Sequence, residues 1–138
     1  MSAYLFAYGT LQPGLAPPDV ALLVARLMPI GEGLARGVLY DLGRYASAIF
    51  DNASAFTIAG TVFQLPEDPE VLNALDVYEE FDPAAPESSP YQRILCPGEL
   101  AAGGTLQCWV YAWKGDPAKA AIIPGGSFRN RRVGAVSE

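Results

Sequence analysis

Tyr4-Leu5-Phe6-Ala7-Tyr8-Gly9-Thr10-Leu11-Gln12-Pro13-Gly14 is the stretch around which the rest of the chain is organised. Aromatic and aliphatic residues from Tyr4 to Tyr8 give a buried strand; Gly9 frees the backbone to turn, and Pro13-Gly14 closes a second turn. A strand that ends this way presents backbone N–H groups from Gly9, Thr10 and Leu11, which can hold a carboxylate or phosphate oxygen as a helix N-terminus or a backbone nest does. An ordinary strand followed by a tight turn accounts for the same residues, because short glycine motifs recur by chance.

Working outward, Val20 to Met28 reads as a short helix that starts at Pro18 or Asp19 and is ended by Pro29. Gly31, Gly33 and Gly37 punctuate the next segment, which runs into a strand from Gly37 to Gly43. Glycines so placed mark bulges or tight bends at barrel corners, so a curved sheet is expected. Tyr45–Phe50 gives a short strand, and the β-branched and aromatic run Phe56–Leu65 a core strand that stops at Pro66. Asp68 and Pro69 then supply the N-cap and first position of a helix through Glu79, whose apolar residues Val71, Leu72, Leu75 and Tyr78 put Glu79 close to the buried face. The Pro-rich segment Asp82–Pro90 reads as a loop with the makings of a lid. Tyr91–Cys96 and Thr105–Trp113 pair as a hairpin across Pro97 to Gly104, and Ile122-Ile123-Pro124 packs on the body. With at least five strands and two short helices, the residues by themselves describe an α+β domain on a curved or closed sheet.

The 138 residues suffice for one domain with a real core; 51% are hydrophobic and 17% charged, the composition of a compact globular chain. The domain is read over 1–128, with 129–138, including Arg129-Asn130-Arg131-Arg132, as a polar, frayed tail. A net charge of −6 disfavours nucleic acid and anionic membrane as partners. No apolar run approaches the roughly 18 residues of a membrane span, and the first residues lack a secretory pattern, so a cytoplasmic location is expected. Cys96 and Cys108 lie on separate strands without a CxxC partner and read as two buried thiols rather than a metal cage or a redox pair. The chain has no histidine, which excludes imidazole-based triads and histidine-ligated metals and leaves acid–base chemistry to carboxylates, Tyr, Lys or Cys. Glu79-Glu80, at a helix end, are the candidates for a carboxylate base; solvated helix-end acids are the plainer alternative.

Tyr8-Gly9-Thr10-Leu11 followed by Gly14, Gly37-Val38-Leu39-Tyr40-Asp41-Leu42-Gly43-Arg44-Tyr45, Gly60-Thr61-Val62-Phe63, Leu75-Asp76-Val77-Tyr78-Glu79, Tyr91-Gln92-Arg93 and Val110-Tyr111 resemble, in order and spacing, the gamma-glutamylcyclotransferase-like family. The resemblance implies a compact mixed β-barrel with two short flanking helices, and cyclisation of a gamma-glutamyl amide to 5-oxoproline with release of the amine. It implies that Glu79 is the acid–base group, that Gly9, Thr10 and Leu11 cradle the substrate carboxylate, and that Tyr8, Tyr91 and Tyr111 line the cavity. It also implies a small-molecule gamma-glutamyl substrate as the partner and no metal or organic cofactor. Glu80 departs from the pattern, standing where many relatives have glycine. Two other readings stand beside the enzyme: a non-catalytic carboxylate-binding module on the same barrel, and an interaction protein that exposes Trp109, Tyr111 and Trp113.

Overall fold

The computed structural model describes residues 3–9, 11, 16–42 and 46–127. Thr10, the Gln12–Gly14 turn, Gly43-Arg44-Tyr45, Phe128 and the 129–138 tail lie outside the described residues. In chain order the elements are β1 (Ala3–Ala7), α1 (Pro18–Val24), β2 (Met28–Asp41), β3 (Ala46–Phe50), β4 (Thr57–Leu65), α2 (Pro69–Tyr78), β5 (Tyr91–Leu100), β6 (Thr105–Trp113) and β7 (Ala121–Ile122).

Five strands close a mixed barrel in the order β1, β4, β2, β5, β6. β1 runs antiparallel to β4 from Ala3↔Leu65 to Ala7↔Thr61 and parallel to β6 at Leu5↔Trp109. β2 pairs β4 and meets β5 at Gly33↔Leu100 and Leu34↔Glu99, and β5 pairs β6 along its length. The far half of β2 leaves the barrel to pair β3 and β7. The expected barrel with two short helices is the observed fold.

Alternation along β1 explains the layering. Phe6 and Tyr8 join Ile58, Val62, Cys108 and Val110 inside the barrel, while Leu5 and Ala7 face outward against Val20, Phe63, Val71, Leu75 and Tyr111. Both faces are therefore apolar, which is why the strand reads as an unbroken hydrophobic run. α2 is held by the expected cap: the Asp68 carboxylate accepts the Glu70 N–H at 3.0 Å, Pro69 opens the first turn, and Val71 and Leu75 are buried. Cys96 and Cys108 face each other across β5 and β6 as free, buried thiols.

Two boundaries differ from the sequence reading. α1 stops at Val24, and Met28 and Pro29 belong to β2, because Gln64 and Phe63 of β4 offer them ladder partners and a register shift between Pro29 and Gly31 absorbs the residue between. β5 continues through Pro97 to Leu100. The Leu100 N–H bonds to Gly104, so alternation turns the Pro97 nitrogen away from β6, where its missing donor breaks no ladder bond. The Asp82–Pro90 segment is bound to itself and to the body: the Asp82 N–H donates to Ser89 Oγ at 3.0 Å and Lys114 Nζ donates to the Pro86 carbonyl at 2.6 Å. Ile123 packs on the body as expected, its N–H bonding to the Leu39 carbonyl at 2.8 Å.

β2 changes partner at Gly37, where φ is +153° and a Cβ would lie 2.4 Å from the Ile49 carbonyl oxygen. Gly33 makes the matching close approach at the barrel seam, with a Cβ 2.8 Å from the Glu99 carbonyl oxygen. Gly37→Ala is expected to cost about 2 kcal/mol in urea unfolding, through backbone strain and overpacking. An unchanged midpoint would contradict the close approach.

Candidate functional site

α2 ends in a tight hydrogen-bonded turn. The Glu80 N–H bonds to the Val77 carbonyl at 3.2 Å and the Phe81 N–H to the Asp76 carbonyl at 2.9 Å, with Glu80 itself at φ +58°. These are the two bonds of a Schellman motif, in which the left-handed position is usually glycine. The departure at Glu80 noted in the sequence is therefore a side chain held where glycine costs least. Glu79, the residue before it, caps the helix with its N–H on the Leu75 carbonyl at 2.9 Å.

The Glu79 side chain keeps an edge toward solvent, yet burial of its carboxyl, helped by the charge of Glu80, raises its pKa to about 7. Two tyrosine hydroxyls share its field. Tyr8 donates to the Tyr111 carbonyl at 2.7 Å and accepts the Ala48 N–H at 3.3 Å; its pKa is pushed well above that of a free phenol by burial, then by Glu79 and Tyr91. Tyr111 donates to Asp76 Oδ1 at 2.7 Å and is also pushed up, by burial, Asp76 and Glu79. Both hydroxyls stay protonated and act as hydrogen-bond groups, not as bases. The Tyr91 hydroxyl makes a short hydrogen bond to Ser47 Oγ, which is fully buried.

Glu79, Tyr8, Tyr91 and Tyr111 thus converge at one end of the barrel, with Gly9 directly after Tyr8. A Cβ built at Gly9 meets nothing within 4 Å, so that face of the turn is not crowded by protein. The Leu11 side chain is buried in the layer under the helices, which leaves its backbone as what it could offer a ligand. Thr10 lies outside the described residues. An open groove of about 610 Å³ lies instead against the turn after α2, lined by residues that include Val77, Glu80, Phe81 and Asp82 but not by Glu79, Gly9 or the three tyrosines. Among the described residues no group of three or more Cys, Asp and Glu is placed to hold a metal ion, and no helix is long and apolar enough to cross a membrane.

Sequence reasoning passed over three residues here. Asp76 lies one turn before Glu79 and is buried against Arg93 and Tyr111; Ser47 meets Tyr91 from β3. The signal for Asp76 was its i, i+3 spacing from Glu79. Arg93 and Ser47 gave none, because their partners are distant in sequence. The aromatic stripe of β6 is not an exposed face: Tyr111 is buried, Trp109 lies half-buried beneath the Arg93 guanidinium, and Trp113 packs on Tyr40 with ring centroids 5.8 Å apart.

Because burial raises the folded pKa of Glu79 above its ordinary 4.5, the native state holds the proton more tightly than the unfolded chain. Stability from this group is full below about 4.5 and is lost as pH rises through about 7. Glu79→Gln is therefore expected to be about 3 kcal/mol more stable than the natural protein at pH 8.5 and no more stable at pH 4. Equal differences at both pH values would contradict the desolvated carboxyl. Glu80→Gly should add about 1 kcal/mol in denaturant unfolding at pH 4 by relieving the left-handed backbone. A loss of stability there would contradict the strain.

The family described as Gamma-glutamyl cyclotransferase, AIG2-like, matches this chain over residues 5–130. No curated protein matches it. Among solved structures, YkqA from Bacillus subtilis superposes with a TM-score of 0.71 at 19% identity, covering 100% of this chain and 44% of its own. The chain thus spans under half the length of that neighbour. An AIG2-like protein from Mus musculus superposes with a TM-score of 0.66 at 21% identity over 85% of this chain and 81% of its own. A protein described as gamma-glutamyl cyclotransferase does so with a TM-score of 0.60 at 15% identity, over 88% and 70%. At these identities the likeness is one of fold.

Proposed function

Because the chain belongs to the gamma-glutamyl cyclotransferase, AIG2-like family, we propose that it cyclises a gamma-glutamyl amide to 5-oxoproline and releases the amine, with Glu79 as the proton shuttle. The observation that carries this reading is the Glu79 carboxyl, half-protonated near pH 7 and set among the Tyr8 and Tyr111 hydroxyls. A carboxyl poised there can both accept and return a proton at neutrality.

The chemistry asks for little else. The substrate's own α-amine attacks its γ-carbonyl, so a C–N bond forms within a five-membered ring and the bond to the leaving nitrogen breaks. Glu79 takes a proton from the α-ammonium and delivers it to that nitrogen. Holding the substrate folded supplies much of the acceleration, because intramolecular attack has a very large effective molarity. In this reading the turn through Gly9, Thr10 and Leu11 receives the α-carboxylate, and Tyr8, Tyr91 and Tyr111 shape the wall against which the substrate folds. A module that only binds a carboxylate gains nothing from a second carboxyl desolvated nearby, since like charges repel.

The test is release of 5-oxoproline from a panel of gamma-glutamyl amines and gamma-glutamyl amino acids. Turnover is expected with at least one of them, with kcat rising or falling through an inflection near pH 7, and Glu79→Gln should lower kcat about a thousandfold while substrate still binds. If no member turns over and a carboxylate ligand binds both proteins equally, the chain is a binding module.

A further inference from the structure

Asp76 has 3% of its surface exposed, in a position where a lone carboxylate would be costly. Its Oδ1 accepts the Arg93 Nε–H at 2.8 Å and the Tyr111 hydroxyl at 2.7 Å, and its Oδ2 accepts Arg93 Nη2 at 3.3 Å. Its backbone carbonyl accepts the Phe81 N–H that closes the turn after α2. One residue therefore ties α2 to β5 and β6 and also fastens the turn on which Glu79 and Glu80 sit. Arg93 is itself held flat, its guanidinium carbon 4.5 Å from the Trp109 ring centroid and 5.7 Å from that of Phe81.

We propose that Asp76 is the positioning residue for Glu79, with Arg93 as its counter-ion: the pair pins the end of α2 to the barrel and keeps a second uncompensated negative charge away from the Glu79 carboxyl. The proposal rests on the reading of Glu79 as the acid–base group. Among the described residues, the charged and titratable groups around that carboxyl are Glu80 on the same turn, Tyr8 after β1, Tyr111 on β6, Tyr91 on β5 beside Tyr8, and the Asp76–Arg93 pair reached through Tyr111. Tyr8 and Tyr111 remain neutral, which leaves, among the described residues, Glu80 and the balance of the pair as the charges that matter. The Tyr111 hydroxyl links them, since it is bonded to Asp76 while lying in the field of Glu79.

The test is a carbon-13 titration of the Glu79 carboxyl, assigned by its loss in Glu79→Gln, in the natural protein, Asp76→Asn, Arg93→Met and the double variant. Arg93→Met leaves Asp76 uncompensated and should move the Glu79 midpoint up by about half a unit or more; Asp76→Asn leaves Arg93 uncompensated and should move it down by about as much. The double variant should titrate as the natural protein does, yet with kcat about tenfold lower and KM unchanged, because the charges balance while the fork is gone. Asp76→Asn keeps the side-chain volume and an acceptor for Tyr111, so it decides the matter if Arg93→Met does not fold. An Asp76→Asn midpoint equal to the natural one, or a double variant with natural kcat, overturns the proposal. The titration needs no turnover: shifted midpoints without 5-oxoproline release would refute the cyclotransferase reading and support the clamp, whereas turnover with unshifted midpoints would refute the clamp alone.

Discussion

β1 is covered on both faces, by the barrel interior through Phe6 and Tyr8 and by the helical layer through Leu5 and Ala7, so it can end only where those two layers meet. That meeting point is the candidate site. The parallel contact at Leu5↔Trp109 brings β6 alongside, and the hydrogen bond from the Tyr8 hydroxyl to the Tyr111 carbonyl ties the strand's end to it. α2 packs Val71 and Leu75 on the outer face of the same strands, which delivers its C-cap, Glu79, to the same end of the barrel. Desolvation of that carboxyl then follows from the packing, and the neighbouring Glu80 charge adds to the rise in its pKa.

The turn that carries Glu79 gives up stability, in the proposed reading for chemistry. A glutamate at φ +58° and a second carboxyl kept out of water both oppose folding, and they are adjacent in sequence. What offsets them nearby is the Asp76–Arg93–Tyr111 cluster, with hydrogen bonds of 2.7 to 3.3 Å. The strained and the supporting residues therefore occupy one turn of one helix and the two strands beneath it.

The parts of this arrangement that were legible in the sequence are those set by local rules. Apolar runs rich in aromatic and β-branched residues announced β1, β4 and β6; Asp68-Pro69 and the apolar spacing announced α2 and put Glu79 near its buried face. The ends of α1 and β5 were not legible, because ladder partners on β4 and β6 decided them against the local signals of Pro29 and Pro97. Glu79 stood out through its family resemblance more than through any property of its own, since Glu79-Glu80 at a helix end reads equally as solvated acid. The clamp was invisible because Asp76 and Arg93 are 17 residues apart and Asp76 and Tyr111 are 35 apart, and no local pattern records such a meeting. Leu11 illustrates the opposite limit: its place in the loop motif was clear, but only packing shows its side chain turned into the helical layer.

A single proton, held at neutrality by a carboxyl that burial, helped by the charge of Glu80, has made basic enough, is what joins the fold to the proposed cyclisation. The most direct measurement is the titration of the Glu79 carboxyl in the natural, ligand-free protein. The account predicts a midpoint of about 7; a midpoint at the ordinary 4.5 would show a solvated helix-end acid and contradict it.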